Sequence, residues 1–296
     1  MLDKRNQVYG LVLALFAVLT ASVAPTLVKV GVDANNDPIT LLMLRLWIAS
    51  AIFWVFFSIA QPEILRIDSR ALVFTSAAGA ANSAGLILFY LAIQHLDASV
   101  ATMLFSFYPL FTVLMLALRG ERLRLKTLLF LSMSLFGIYL FLKMGGDLNL
   151  VGILFILGTT FAYALHLNIV QWYLSDYPAQ TSAIYIITTM AIITTLVWLF
   201  GPRDFSPISA VGWISIGGTA LLSTVLTRLT LFAAIRRLGS AQVSFFGPLE
   251  ILLGVLWAVL LLGERLSMRQ WFGGLLILAS MVWTLRYNKV TTSSNK

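Results

Sequence analysis

Ten stretches of this chain are each apolar enough and long enough to cross a bilayer, and no other feature limits its fold so sharply. A helix rising about 1.5 Å per residue needs about 20 mostly apolar residues to cross about 30 Å of hydrocarbon. Stretches of this kind run over 9–31, 38–60, 70–94, 97–118, 124–143, 150–174, 178–200, 209–235, 240–262 and 268–286. The expectation is an all-α membrane protein with ten transmembrane helices. A hydrophobic content of 59% and a charged content of 11% agree with it, and the short loops between the stretches leave no room for a soluble domain.

A formal net charge of +8 would point to nucleic acid in a soluble protein, but in a membrane protein the position of each cation counts for more than the sum. With the N-terminus in the cytoplasm, thirteen Lys and Arg fall on the inner side and five on the outer side. That bias predicts cytoplasmic termini in an inner-membrane protein of bacterial type, and contact with anionic lipid rather than nucleic acid. The head carries Asp3, Lys4 and Arg5 and runs into the first apolar stretch without a small-residue cleavage site, so it reads as a retained first span. The chain has no Cys, which excludes disulfides, a thiolate nucleophile and Cys-ligated metal.

The stretches form two sets of five. Ala92-Ile93, Leu96 and Ala98-Ser99 recur 142 residues later as Ala234-Ile235, Leu238 and Ser240-Ala241, and Gly10 recurs as Gly152. Gly120-Glu121-Arg122-Leu123 recurs as Gly263-Glu264-Arg265-Leu266, one residue further on. The units are residues 1–146 and 147–290, followed by a flexible cytoplasmic tail, 291–296. Five is odd, so the second unit enters the membrane from the opposite side and the halves are inverted repeats around a central cavity. Two like units of opposite orientation give two near-equivalent conformations, one open inward and one outward, with a substrate site near the midplane. Duplication without transport stays open beside this reading.

Ten spans, the five-plus-five duplication and the phrase Leu-Gly-Glu-Arg-Leu at Leu262–Leu266, echoed by Arg-Gly-Glu-Arg-Leu at Arg119–Leu123, resemble the EamA branch of the drug/metabolite transporter superfamily. Within it the chain is most similar to the YddG-type exporters of aromatic and other amino acids. The resemblance implies a cavity lined by the first four helices of each repeat, with the fifth and tenth outside it. One departure is visible: the family places Glu-Pro midway along the ninth span, whereas here Glu250 precedes Ile251 and the proline is Pro248. The Gly-Glu-Arg phrases also have a local explanation. A glycine in a left-handed conformation ends the preceding helix, and the following Glu sits near the next helix's positive end.

Polar side chains within spans are the site candidates, because they are costly in hydrocarbon unless partnered or used. Glu250 is the one acid deep in a span, and Arg228 lies at a similar depth in the span before it. Two roles stay open for them: an ion pair fixing helix register, or contact with substrate, with Glu250 also the candidate for proton coupling. His166 falls in the same layer, with Tyr163 on its face. The third span puts Asn82, Leu86 and Tyr90 on one face, bordered by Ser83, and the fourth adds Ser106 and Tyr108 before Pro109. Tyr108 is the counterpart of Glu250 in the other repeat. Hydrogen bonding between helices competes with substrate contact for each of these residues. Arg45 has two readings, snorkelling to the outer surface, which is favoured, or attracting an anionic group into the outer vestibule. Trp257 reads as a packing or lipid-facing residue, and Ala77–Ala81 and Gly217-Gly218 as sites of close helix approach. The only other His, His95, lies far from His166, so no metal is expected.

There is no phosphate-binding loop, no G-x-S-x-G and no H-E-x-x-H, which argues against ATP-driven transport and familiar hydrolysis and leaves no cofactor implied. The function expected is a secondary-active or facilitative exporter of small amphipathic metabolites, amino acids first, working as a monomer or homodimer in the lipid bilayer, and not an enzyme. A cationic-drug exporter of the same fold and an intramembrane lipid transferase are the alternatives.

Overall fold

The first apolar stretch folds as two helices, because Pro25 has no N–H with which to continue the ladder. α1 (Lys4–Ser22) and α2 (Ala24–Asp33) meet at Val23, with Pro25 in the first turn of α2. The computed structural model describes residues 4–105, 108–119, 149–174, 176–201, 207–238 and 246–263, together with Ser132, Phe136, Met268 and Phe272.

Polar residues mark where loops give way to helices. α3 (Pro38–Ala60) starts at Asp37, whose carboxylate accepts from the Thr40 N–H at 2.7 Å. α4 (Ser69–Ile93) starts at Asp68, which accepts from the Ala71 N–H at 2.7 Å. The Ala71 N–H, and then the Tyr177 hydroxyl at 2.9 Å, hold Asp68 below the usual aspartate range. The described parts of the fourth stretch are helical, α5 (Ala98–Phe105) and α6 (Tyr108–Leu118). α7 (Leu150–Tyr173) is capped by Asn149, α8 (Ala179–Phe200) follows, and α9 (Ala210–Gly218) is capped by Ser209. The helix then widens into a π turn over Thr219–Leu226 and continues as α10 (Thr227–Leu238). α11 (Gly247–Leu262) ends at Gly263, whose φ of 69° is the left-handed cap expected there; the matching Gly120 lies outside the described residues.

Among the described residues, six helical stretches are long and apolar enough to span a membrane: Gln7–Asp33, Pro38–Ala60, Ser69–Ile93, Leu150–Val170, Ala179–Phe200 and Ala210–Leu231. Leu249–Leu262 is a shorter apolar helix. The expected fifth and tenth spans lie outside the described residues except for Ser132, Phe136, Met268 and Phe272. Large apolar side chains such as Ile59, Leu118 and Phe200 face outward, a surface suited to lipid.

α4 packs along α7, α1 and α2 pack along α10 and α9, and α3 packs on α8. A shift of 142 residues exchanges the first two pairings and maps the third onto itself. Small residues set the closest approaches. A Cβ on Gly79 would lie 2.7 Å from the Thr189 Cβ and 3.0 Å from the Ile186 carbonyl, so α4 and α8 touch there nearly backbone to backbone. Gly217, expected to serve the same purpose, has nothing within 4 Å of where its Cβ would stand. Close approach on that span falls instead at Gly218, against Leu27.

Candidate functional site

A central cavity of about 240 Å³ is lined by Ser22, Ala24 and Pro25 at the α1–α2 junction, by Phe105 of α5 and Tyr108 of α6, and by Ser223 and Thr224 in the π turn. α1 to α8, α10 and α11 all contribute to its lining. Eighteen of its twenty-eight lining residues form nine pairs at the 142-residue offset, among them Asn82 with Thr224, Leu86 with Arg228 and Tyr108 with Glu250. The two repeats thus supply the same positions to one space with different chemistry at each.

Among the described residues three charged side chains line it: Arg45, Arg228 and Glu250. The counterparts of these charges are Ile187, Leu86 and Tyr108, which also line the cavity. All charge therefore lies on one member of each pair. Arg228 and Glu250 form no salt bridge with each other; the one ion pair among the described residues joins Lys29 and Asp33 at 3.1 Å. The register-fixing pair considered from sequence is not made, and both groups border open space.

Arg45 does not snorkel. It is 8% exposed and turns inward, where its Nε donates to Thr224 Oγ1 at 3.1 Å, its Nη1 to Tyr90 Oη at 3.2 Å and its Nη2 to Ser223 Oγ at 3.3 Å. Depth along its own helix suggested escape to the outer surface, but oxygens on two other spans hold the guanidinium in place through three of its five N–H groups. Thr224 and Arg228 are one turn apart, about 6 Å along a helix, so the two cations occupy neighbouring levels of the cavity.

Aromatic rings form one wall. Tyr163 lies with its ring centroid 5.1 Å from those of Tyr108 and Phe105, and Phe89 meets Phe105 edge-on at 6.3 Å. Thr102, Thr159 and Thr227 line the cavity elsewhere, with their hydroxyls bonded back to the carbonyls of Ala98, Phe155 and Leu222. Trp257, read from sequence as packing or lipid-facing, donates its indole N–H to Ser22 Oγ at 3.0 Å and so braces α1 beside its break.

Of the residues singled out from sequence, Asn82, Tyr108, Tyr163, Arg228 and Glu250 line the cavity. Tyr90 stands behind it as a support for Arg45. Ser83 is fully buried away from it. His166 is 3% exposed and outside the lining; its Nδ1 lies 3.0 Å from the Ala78 carbonyl, and since a carbonyl only accepts, Nδ1 carries the proton. It ties α7 to α4. Ser106 lies outside the described residues. Sequence reasoning placed Arg45 in the outer vestibule rather than in this cavity, and missed Ser22, Thr102, Ser223, Thr224 and Thr227. The signal for the last three was a run of hydroxyls one turn before Arg228. Among the described residues no three His, Asp or Glu gather as a metal site would require.

Comparison with known proteins agrees with this geometry. No curated protein matches the chain. A solved structure described only as the crystal structure of a protein aligns over 95% of this chain and 98% of its own length, with a TM-score of 0.73 at 16% identity, and so shares its fold. The model of the EamA-like transporter family matches twice, over residues 8–143 and 150–286. The second match starts 142 residues after the first, the spacing at which the cavity residues pair. With nearly the whole chain accounted for by two copies of one transporter unit, this protein belongs to the EamA-like transporter family.

Proposed function

We propose that the protein carries small amphipathic metabolites out of the cell, amino acids foremost, by alternating access through the central cavity. The observation that carries this reading is the pairing of the cavity lining at the repeat offset. If the second repeat is inverted, each pair holds one residue that faces inward when its partner faces outward, and exchange of shapes between repeats opens the same cavity to either side. The aromatic wall at Phe105, Tyr108 and Tyr163 suits an apolar body, and Arg45, Arg228 and Glu250 suit a charged head. Two arginines in so small a space disfavour the cationic-drug alternative by repulsion. The membrane is the bacterial inner membrane, with both termini cytoplasmic, on the strength of the Lys and Arg bias.

Glu250 is the cavity carboxylate among the described residues and therefore the group available to carry a coupled proton. Uptake of labelled Phe, Trp, Thr and Met into proteoliposomes, with and without a pH gradient, tests both statements. Saturable uptake with trans-stimulation is expected. In Glu250→Gln the effect of the gradient should vanish while exchange persists. A gradient response in Glu250→Gln equal to that of the unmodified protein would refute coupling through this residue.

A further inference from the structure

Arg45 is a buried cation whose partners among the described residues are all neutral oxygens. Its guanidinium carries five N–H groups, and three are used, by Thr224, Tyr90 and Ser223. One N–H on each terminal nitrogen is left, on a side chain that borders the cavity. Donors on both terminal nitrogens of one planar guanidinium can each reach one oxygen of a carboxylate, as a fork. The fork is held in place: Tyr90 is 1% exposed, and Ser223 and Thr224 both anchor their hydroxyls on the Thr219 carbonyl, at 2.8 and 3.1 Å. This second use of Thr219 depends on the π turn, because Thr224 reaches five residues back. The charge balance agrees. Among the described residues two guanidinium groups and one carboxylate border the cavity, an excess of one positive charge at membrane depth, where a lone charge is costly.

Taking the cavity as the transport site, we infer that Arg45 seats a free carboxylate of the substrate and that this carboxylate is the handle the carrier requires. One carboxylate fills the two remaining donors and brings a negative charge to a cavity in which guanidinium outnumbers carboxylate, while the ammonium of an amino acid has Glu250 to face. A phosphate ester, with up to two negative charges and three oxygens, would overfill both the donors and the excess charge. The aromatic wall formed by Phe89, Phe105 and Tyr163 then meets the rest of the molecule.

Matched acids and amides test this on the purified full-length protein: phenylalanine with phenylalaninamide, threonine with threoninamide, and 3-phenylpropionate with 3-phenylpropionamide. Binding is read as thermal stabilisation in detergent. At least one acid should bind about tenfold or more tightly than its amide, as expected for a charge-assisted pair, and phenyl phosphate should not substitute for it. In Arg45→Gln the preference for acid should collapse, and Arg45→Lys, which keeps the charge but loses the fork, should fall between. Amides that bind as well as acids, no stabilisation by any acid, or a preference that survives Arg45→Gln would each overturn the inference. If the Gln variant does not fold, the acid and amide pairs on the unmodified protein still decide. Acid-specific binding without any transport in proteoliposomes would remove the transport reading and leave the carboxylate site standing; transport of phenylalanine competed equally by its amide would do the reverse.

Discussion

His166 shows how depth in a span and chemical role come apart. It shares a layer with Arg228 and Glu250, as its sequence position predicts, yet its ring turns away from the cavity toward the Ala78 carbonyl. A helical repeat gives depth and an approximate face; which neighbour stands on that face depends on residues far away in sequence. Arg45 is the converse case: its Thr224 and Ser223 partners are nearly 180 residues distant, and nothing near position 45 announces them. Glu250, Arg228, Tyr108, Tyr163 and Asn82 were legible because a charge or polar ring in a span is costly unless used. The hydroxyls were not, since Ser and Thr in helices commonly bond back to their own carbonyls and carry no such cost. A bracing role for His166 has a direct consequence. His166→Ala should lower stability by about 1–3 kcal/mol through a lost hydrogen bond and a cavity, and leave the Michaelis constant for transport unchanged. Thermal unfolding and uptake kinetics on one preparation check both. A raised Michaelis constant with unaltered stability would instead put His166 at the substrate.

Helix extents were largely legible at the scale of elements, because apolar runs end at residues with evident stopping chemistry: Asp37, Asp68, Asn149 and Ser209 at starts, and Gly263 at an end. Interruptions were less so. Pro25 breaks the first span, but the π turn at Thr219–Leu226 has no proline or distinctive residue within it; its hydroxyls close onto carbonyls five residues back only once the widened geometry exists. Small-residue runs were similarly ambiguous, since a glycine permits close approach without requiring it. Gly79 and Gly217 separate the two cases. Gly79→Val would drive a side chain into the Thr189 Cβ and the Ile186 carbonyl, and since backbone cannot yield locally, the α4–α8 contact should loosen at a cost of about 1–3 kcal/mol. Gly217→Ala meets nothing and should be neutral or gain up to about 1 kcal/mol from helix propensity. Melting temperatures of the two variants in one detergent should therefore move apart, and equal shifts would contradict the packing described for α4 and α8.

For the whole molecule, the duplication was written in short phrases such as Ala92-Ile93 and Ala234-Ile235, and the two family matches carry it across the chain. What those phrases leave out is the division of labour between halves. Each half supplies equivalent positions, but Arg45, Arg228 and Glu250 face Ile187, Leu86 and Tyr108 across the repeat relation. A cavity of this kind can be symmetric in shape and still hold a polar molecule in one orientation, as a carrier with a defined substrate needs. The chain lacks cysteine, so a single introduced thiol reports on its own site without background. Ala21 lines the cavity beside the break in α1, and a thiol there changes little volume. The measurement is the labelling of Ala21→Cys by a membrane-impermeant thiol reagent, applied separately to right-side-out and inside-out vesicles, with and without transported amino acid. Alternating access predicts labelling from both sides, slowed by substrate on each, and loss of exchange once the thiol is modified. Labelling from one side only, whatever the substrate, would contradict it.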